Sequence, residues 1–139
     1  MGNRRKAREL VTQVLFHMEY NQGDLENNFE LICNNFNAPR SVRLFAKELI
    51  KGICENREYI DNIIQKSSKN WKMGRMSKVD RSILRLSVYE LFFLDDIPPK
   101  VSIDEAVELG KKFGTEESGS FINGILDNVY IKNIKDDAG

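Results

Sequence analysis

The chain has 139 residues, 41% hydrophobic and 30% charged, and its 21 basic and 21 acidic residues cancel to no net charge. That size fits one domain able to fold without disulfides or metal, and neutrality excludes a general basic bias, so any cationic cluster is a local feature. No apolar run approaches a membrane span, and no hydrophobic segment follows the first arginines as in a signal peptide. The expectation is one helical domain over 1–135, in the cytoplasm, with a polar, frayed tail over 136–139. Only three prolines occur, and β-branched alternation is scarce, which favours helices over a sheet.

The first helix is expected from Arg4 to Tyr20. Its start gathers Arg4, Arg5, Lys6 and Arg8 around Ala7 before the first acid, Glu9. Such a cluster reads either as a phosphate footprint or as a solvated helix start. Ala7, Leu10, Val11, Val14, Leu15 and Met18 fall on one side as a core stripe. Phe16 projects elsewhere, on a strip with Arg5, Thr12 and Tyr20. That strip reads either as a stacking surface for unpaired bases or as a contact with a neighbouring helix.

Asp24 is a plausible N-cap for a second helix carrying Leu25, Phe29, Ile32 and Phe36. Asn37-Ala38-Pro39 breaks the chain, and a third helix begins near Ser41. Helical pattern resumes from Tyr59 to Ile64, as one bent helix or two. Trp71 to Gly74 reads as a connector. From Val79 to Leu94 the apolar residues wrap most of the circumference, which marks a central helix. Pro98 and Pro99 close that segment off. Ser102 and Glu105 fit a capping box for the next helix, which stops at Gly114. Thr115 can cap a last helix holding Phe121, Ile122, Ile125, Leu126 and Val129. The sum is an all-α bundle of about six or seven helices.

Charge is segregated within the neutral total. Between Asp61 and Glu90 basic residues dominate, among them Lys78, Arg81 and Arg85, with Asp80 the acid between them. From Asp95 to Glu117 acids dominate. The two stretches mark distinct partner surfaces or complementary helix faces packed together. Cys33 and Cys54 lack metal or redox spacing and read as small core residues. His17 has no partner in the pattern, the carboxylate pairs sit in helix first turns, and the glycines form no phosphate loop. Catalysis, metal and cofactor are therefore not expected.

Val79-Asp80-Arg81-Ser82-Ile83-Leu84-Arg85-Leu86 with Tyr89-Glu90-Leu91 strongly resembles the NusB transcription antitermination family. So do Ile97-Pro98, Lys100 to Leu109, Lys112-Phe113-Gly114, Ser118, and Phe121 to Asp127, while Arg4 to Glu9 is similar to the family's arginine-rich start. The segment from Asp24 to Trp71 matches only in helical pattern and length. The resemblance implies an all-α fold of two three-helix subdomains packed together with an extra helix, about seven in all. It also implies RNA binding without catalysis: pairing with NusE, a small-subunit ribosomal protein, on the boxA element of ribosomal RNA leaders. The pair would join elongating RNA polymerase with other Nus factors. A homodimer of the free protein is a further possibility.

Carried over by position, the resemblance gives Arg4, Arg5, Lys6 and Arg8 to the RNA backbone and Phe16 to a base. Relatives with tyrosine at that position would add a hydroxyl that Phe16 lacks. Glu117, Ser118, Phe121 and Asn123, with Gly119 and Ser120 between them, resemble a second RNA-contacting patch. Glu117 is an acid where phosphate would pass and would act as a brake. Phe121 reads alternatively as core. Asp80 would face NusE, or pair locally with Arg81 or Arg85, and Phe92 would contribute to the partner surface. A different class of function is an accessory domain of a ribosomal RNA methyltransferase, of which this chain would be a piece.

Overall fold

The computed structural model describes residues 2–20 and 25–135. The expected cap at Asp24 and the expected frayed tail over 136–139 lie outside the described residues. Seven α-helices follow in order: α1 (Gly2–Tyr20), α2 (Leu25–Phe36), α3 (Arg40–Glu55), α4 (Arg57–Ser67), α5 (Lys78–Phe93), α6 (Pro99–Phe113) and α7 (Ser118–Val129). A 3₁₀ turn at Met73–Arg75 precedes α5, and a π-helical end at Tyr130–Lys135 follows α7.

The breaks have local causes. Asn37 adopts a left-handed conformation, φ 50°, after the last turn of α2, as short amide side chains tolerate at a helix end. Asn56 separates α3 from α4, so that stretch is two helices; its amide Nδ2 donates to the Gly52 carbonyl at 2.8 Å. The expected capping box at Ser102 does not form. Pro98 and Pro99 instead supply the cap and first residue of α6, because a proline's fixed φ and missing N–H suit a first turn. Ser102 is thereby drawn inside the helix and buried.

Two groups of helices share one core. In the first, α1 packs on α2 and α3; in the second, α5 and α7 pack on α4, and α6 closes over both α5 and α7. Helix α5 also packs on α1 and α3 and so joins the groups. Its residues from Ser82 to Val88 are all buried, as expected of a helix apolar nearly all round. The α6–α7 pair approaches most closely at Gly110, where a methyl group would lie 2.8 Å from Ile122 Cδ1 and 3.3 Å from the Gly119 nitrogen. Cys33 is buried as expected, whereas Cys54 is exposed on the outer side of α3.

The segregated charges are resolved through α1 and α4. The basic face of α5 is answered by Glu19 and Asp61: Arg81 Nη2 donates to Glu19 at 2.8 Å and Arg85 Nε to Asp61 at 2.8 Å. The acids of the next stretch are answered from α1, with Arg4 on Asp96 and Arg5 on Glu105. No described helix is long and apolar enough to cross a membrane.

Candidate nucleic-acid interface

Because α1 and α6 run in the same direction, charged side chains pair across the gap between them in register. Arg5 meets Glu105 through Nε at 3.2 Å and Nη2 at 2.9 Å, and one α1 turn later Glu9 accepts from Lys112 Nζ at 2.9 Å. The groove between the helices holds about 320 Å³ and is lined by Arg5, Arg8, Glu9, Glu105, Leu109 and Lys112, with Glu108 at its edge. Arg4, Arg5 and Lys6 are exposed. Arg4 donates to Asp96 at 2.7 Å and lies 5.2 Å from the Phe45 ring centre. Glu105 raises the Arg5 guanidinium above its ordinary value, first by the hydrogen bond and then by its charge. Solvent screens the guanidinium side of both pairs, so a phosphate can compete with the carboxylates for Arg4 and Arg5.

Arg8 is not part of this cationic face. Only 5% of it is exposed. Its Nε and Nη2 donate to both oxygens of Glu90 at 2.8 and 2.9 Å, and its Nη1 to Glu105 at 3.2 Å. Ser102 Oγ donates to the same Glu90 at 2.9 Å. Burial opposes the Arg8 charge, but the Glu90 hydrogen bonds and field outweigh it, and the guanidinium is held above its ordinary value. The expectation that Arg8 meets the RNA backbone is corrected: its fork is already filled by two carboxylates. A signal for this was present in sequence, since Arg8 shares a helix face with Val11, Thr12 and Leu15, all buried.

The aromatic strip of α1 is also narrower than expected. Thr12 is buried and donates to the Arg8 carbonyl at 2.8 Å. Phe16 is half-buried and meets Tyr20 edge to face at 5.0 Å, while Tyr20 is 61% exposed. Lys78, at the start of α5, lies 4.3 Å from the Tyr20 ring centre. An aromatic pair and a cation thus stand together at the far end of α1 from Arg5, about 16 Å away by helix rise.

The α6–α7 corner splits its residues between two sides. Glu117 is exposed at the start of α7, with no side-chain cap hydrogen bond. Ser118 is 2% exposed, and its Oγ accepts from the Thr115 nitrogen at 2.9 Å, so its side chain holds the corner. Phe121 is half-buried, edge to face with Trp71 at 6.2 Å. Glu117, Ser118 and Phe121 line a depression that also contains Trp71, Arg75 and Asp80. Asn123, about 200° further round α7, is exposed on the opposite side and lines a separate surface with Asp104, Glu108 and Lys111.

Asp80 and Phe92 lie about 18 Å apart along α5 and do not form one patch. Asp80 is almost fully buried at the helix start, where Ser77 Oγ accepts from its backbone N–H at 3.0 Å. Neither Arg81 nor Arg85 pairs with it; both are held by other acids. Phe92 is half-buried and meets Tyr59 edge to face at 6.2 Å. Tyr59 also contacts Phe93 at 5.9 Å, and both of these rings are exposed. Trp71, Arg75 and Lys78 are the members that sequence reasoning left out of the site, while Tyr20 was read beside Phe16. Trp71 was the detectable one, as a large aromatic in a polar connector.

Comparison with known proteins agrees with the all-α fold. The family model described as the NusB family matches residues 5–131. The transcription antitermination protein NusB of Syntrophus aciditrophicus is 49% identical over 132 residues, 95% of this chain and 82% of that protein. Its counterpart from Desulfatibacillum aliphaticivorans is 46% identical over 131 residues, 94% of this chain and 92% of that protein. Among solved structures, T. maritima NusB is 41% identical with a TM-score of 0.87, covering 96% of this chain and 94% of that one. A chain in the crystal structure of antitermination factors NusB and NusE with double-stranded RNA is 30% identical with a TM-score of 0.86, covering 94% and 98%. With a family match across almost all of α1 to α7, and relatives near half identical along their own lengths, this chain belongs to the NusB family.

Proposed function

We propose that this chain is a transcription antitermination factor of the cytoplasm, without catalysis of its own. It binds boxA-type leader RNA together with NusE and joins the elongating RNA polymerase complex in ribosomal RNA transcription. The observation that carries this reading is α1: exposed Arg4, Arg5 and Lys6 at one end and the Phe16–Tyr20 pair under Lys78 at the other. Cations hold phosphates without reading sequence, while aromatic faces stack on unpaired bases. The antitermination names of the relatives, and the NusE and RNA in the complex of a similar chain, support it.

In this reading Arg4, Arg5 and Lys6 contact the RNA backbone and Phe16 a base. Glu117 and Phe121 belong to the second RNA patch, Ser118 holds its corner, and Asn123 meets the strand from the separate surface across α7. Phe92, with Tyr59 and Phe93, offers an apolar surface to the protein partner. The accessory-domain reading is not favoured, because the matched relatives carry the antitermination name over 92% of their length in the case of D. aliphaticivorans. The test is a gel-shift titration with boxA RNA, with and without NusE, across a salt series. Tighter binding with NusE and a steep salt dependence are expected. No binding in either arm refutes the proposal.

A further inference from the structure

The depression between the Trp71 connector, the start of α5 and the α6–α7 corner holds about 160 Å³. Asp80 lines it and is only 9% exposed, and its Oδ1 is buried with no hydrogen-bond partner among the described residues. The neighbouring cations are committed elsewhere: Arg81 to Glu19 and the Met73 and Met76 carbonyls, Arg85 to Asp61 and Glu19. The positive end of α5 favours a carboxylate at this position. It does not supply the donor that a shielded carboxylate oxygen needs, and such a group left unmatched is costly.

The walls are suited to a flat, polar-edged ligand. Trp71 is 51% exposed and meets Phe121 edge to face, with the two rings at 87°. The Trp71 carbonyl accepts from Ser68 Oγ at 2.8 Å and from Gln65 Nε2 at 3.1 Å, so the connector is fixed before any ligand arrives. The Ser77 and Ser118 hydroxyls line the same depression. Each accepts a backbone N–H; Ser118 Oγ also faces Thr115 Oγ1 at 3.4 Å, and Ser77 keeps its own proton to donate. Arg75, exposed, stands beside them.

We propose that this depression receives one unpaired cytosine or adenine of the bound strand, with Asp80 accepting from its exocyclic amine. The inference rests on the RNA-binding reading above and deepens it. A carboxylate accepts from an amine such as cytosine N4, while a serine hydroxyl donates to the ring nitrogen next to that amine. Cytosine and adenine both present this amine-and-nitrogen pair. Uracil offers one ring N–H flanked by two carbonyls, which a carboxylate repels. A ring stacked against Trp71 is held without regard to sequence, and Asp80 adds the selection. Arg75 takes the neighbouring phosphate.

The experiment is fluorescence anisotropy of labelled twelve-nucleotide oligo(C), oligo(A) and oligo(U) at one fixed salt concentration. The proteins are the full chain, Asp80→Asn and Trp71→Ala, each alone and with NusE, with the thermal midpoint and the NusE affinity recorded for each. The native chain is expected to bind oligo(C) and oligo(A) on the order of tenfold more tightly than oligo(U). Asp80→Asn, whose amide can donate to a uracil carbonyl, brings the ratio close to one while the midpoint is kept. Trp71→Ala weakens all three strands alike. A native ratio near one, or a preference that survives Asp80→Asn, overturns the assignment. So does an unchanged ratio accompanied by weaker NusE binding, which gives Asp80 to the protein partner. Failure of the native chain to bind any oligomer, with or without NusE, refutes the RNA-binding reading itself and this inference with it.

Discussion

Arg8 and Glu90 face each other across α1 and α5 in a two-bond fork, at 2.8 and 2.9 Å, with side-chain exposures of only 6% and 3%. Glu90 also accepts from Ser102, and Glu105 is shared between Arg8 and Arg5. One buried ion pair therefore ties three helices together directly beneath the exposed cations of α1. It fixes the rotation of α1 against α6 and, with it, the position of Arg5 over the groove.

Removing one member of this pair leaves the other charge buried and unmatched, which typically costs about 3–5 kcal/mol. Arg8→Ala is expected to lower the thermal midpoint by roughly 10–20 °C for a domain of this size. The double replacement Arg8→Met with Glu90→Leu is expected to recover much of that loss, because a hydrophobic pair of similar volume removes both charges. Denaturant unfolding of the native chain and the two variants decides the matter. A stable Arg8→Ala that has lost RNA affinity would return Arg8 to the RNA face.

Arg4→Ala combined with Arg5→Ala is expected to weaken RNA binding and make the salt dependence shallower by about 0.7 for each lost phosphate contact on a single strand. Stability should change little, since both guanidinium groups are exposed and their ion pairs are screened by solvent. The measurement is the slope of log affinity against log salt. An unaltered slope and affinity would show that the exposed cations do not touch the strand.

Phe16→Ala separates stacking from packing. Phe16 is half-buried and touches Tyr20, and among the described residues it does not belong to the core cluster. A core phenylalanine truncation costs about 3–5 kcal/mol, so a midpoint shift of only a few degrees is expected here. RNA affinity should fall by about 1–3 kcal/mol if a base stacks on the ring. A large loss of stability with unchanged affinity would make Phe16 a core residue.

Glu117→Asn is expected to tighten RNA binding. The carboxylate is exposed beside the Phe121 depression and makes no cap hydrogen bond, so its removal deletes a repulsion toward phosphate and little else. Asparagine is itself a good N-cap residue, which protects the start of α7. Weaker binding, read by the same titration, would show that Glu117 contributes a contact and not a brake.

Helices and their breaks were largely legible because their causes are local. Asn37-Ala38-Pro39, Pro98-Pro99 and Gly114 end or start elements through backbone geometry alone. Which carboxylate a charge meets was not legible, because it depends on which helix arrives opposite, although the face a charge lies on was. Arg8 and Arg5 look alike in sequence, yet the face holding Val11 and Leu15 takes Arg8 inward. Ser102 followed a true capping pattern, but the prolines ahead of it began the helix sooner. The depression was invisible for a third reason: Trp71, Asp80 and Phe121 come from three separate segments, and no single-helix pattern joins them.

The Arg4–Asp96 pair offers a direct reporter of phosphate contact. The hydrogen bond from Arg4 comes first among the causes that hold the Asp96 carboxyl below the usual carboxylate range. A carboxylate whose value is lower folded than unfolded contributes stability above its unfolded value, and that contribution is lost as pH falls through the folded value. Carboxyl-detected NMR titration should therefore place Asp96 below an ordinary aspartate, and Arg4→Ala should return it to the ordinary range. Saturating RNA should have the same effect as the mutation, because a phosphate that captures Arg4 withdraws its hydrogen bond from Asp96. If RNA binds while the Asp96 titration stays where it was, Arg4 remains on Asp96 and the strand passes it by.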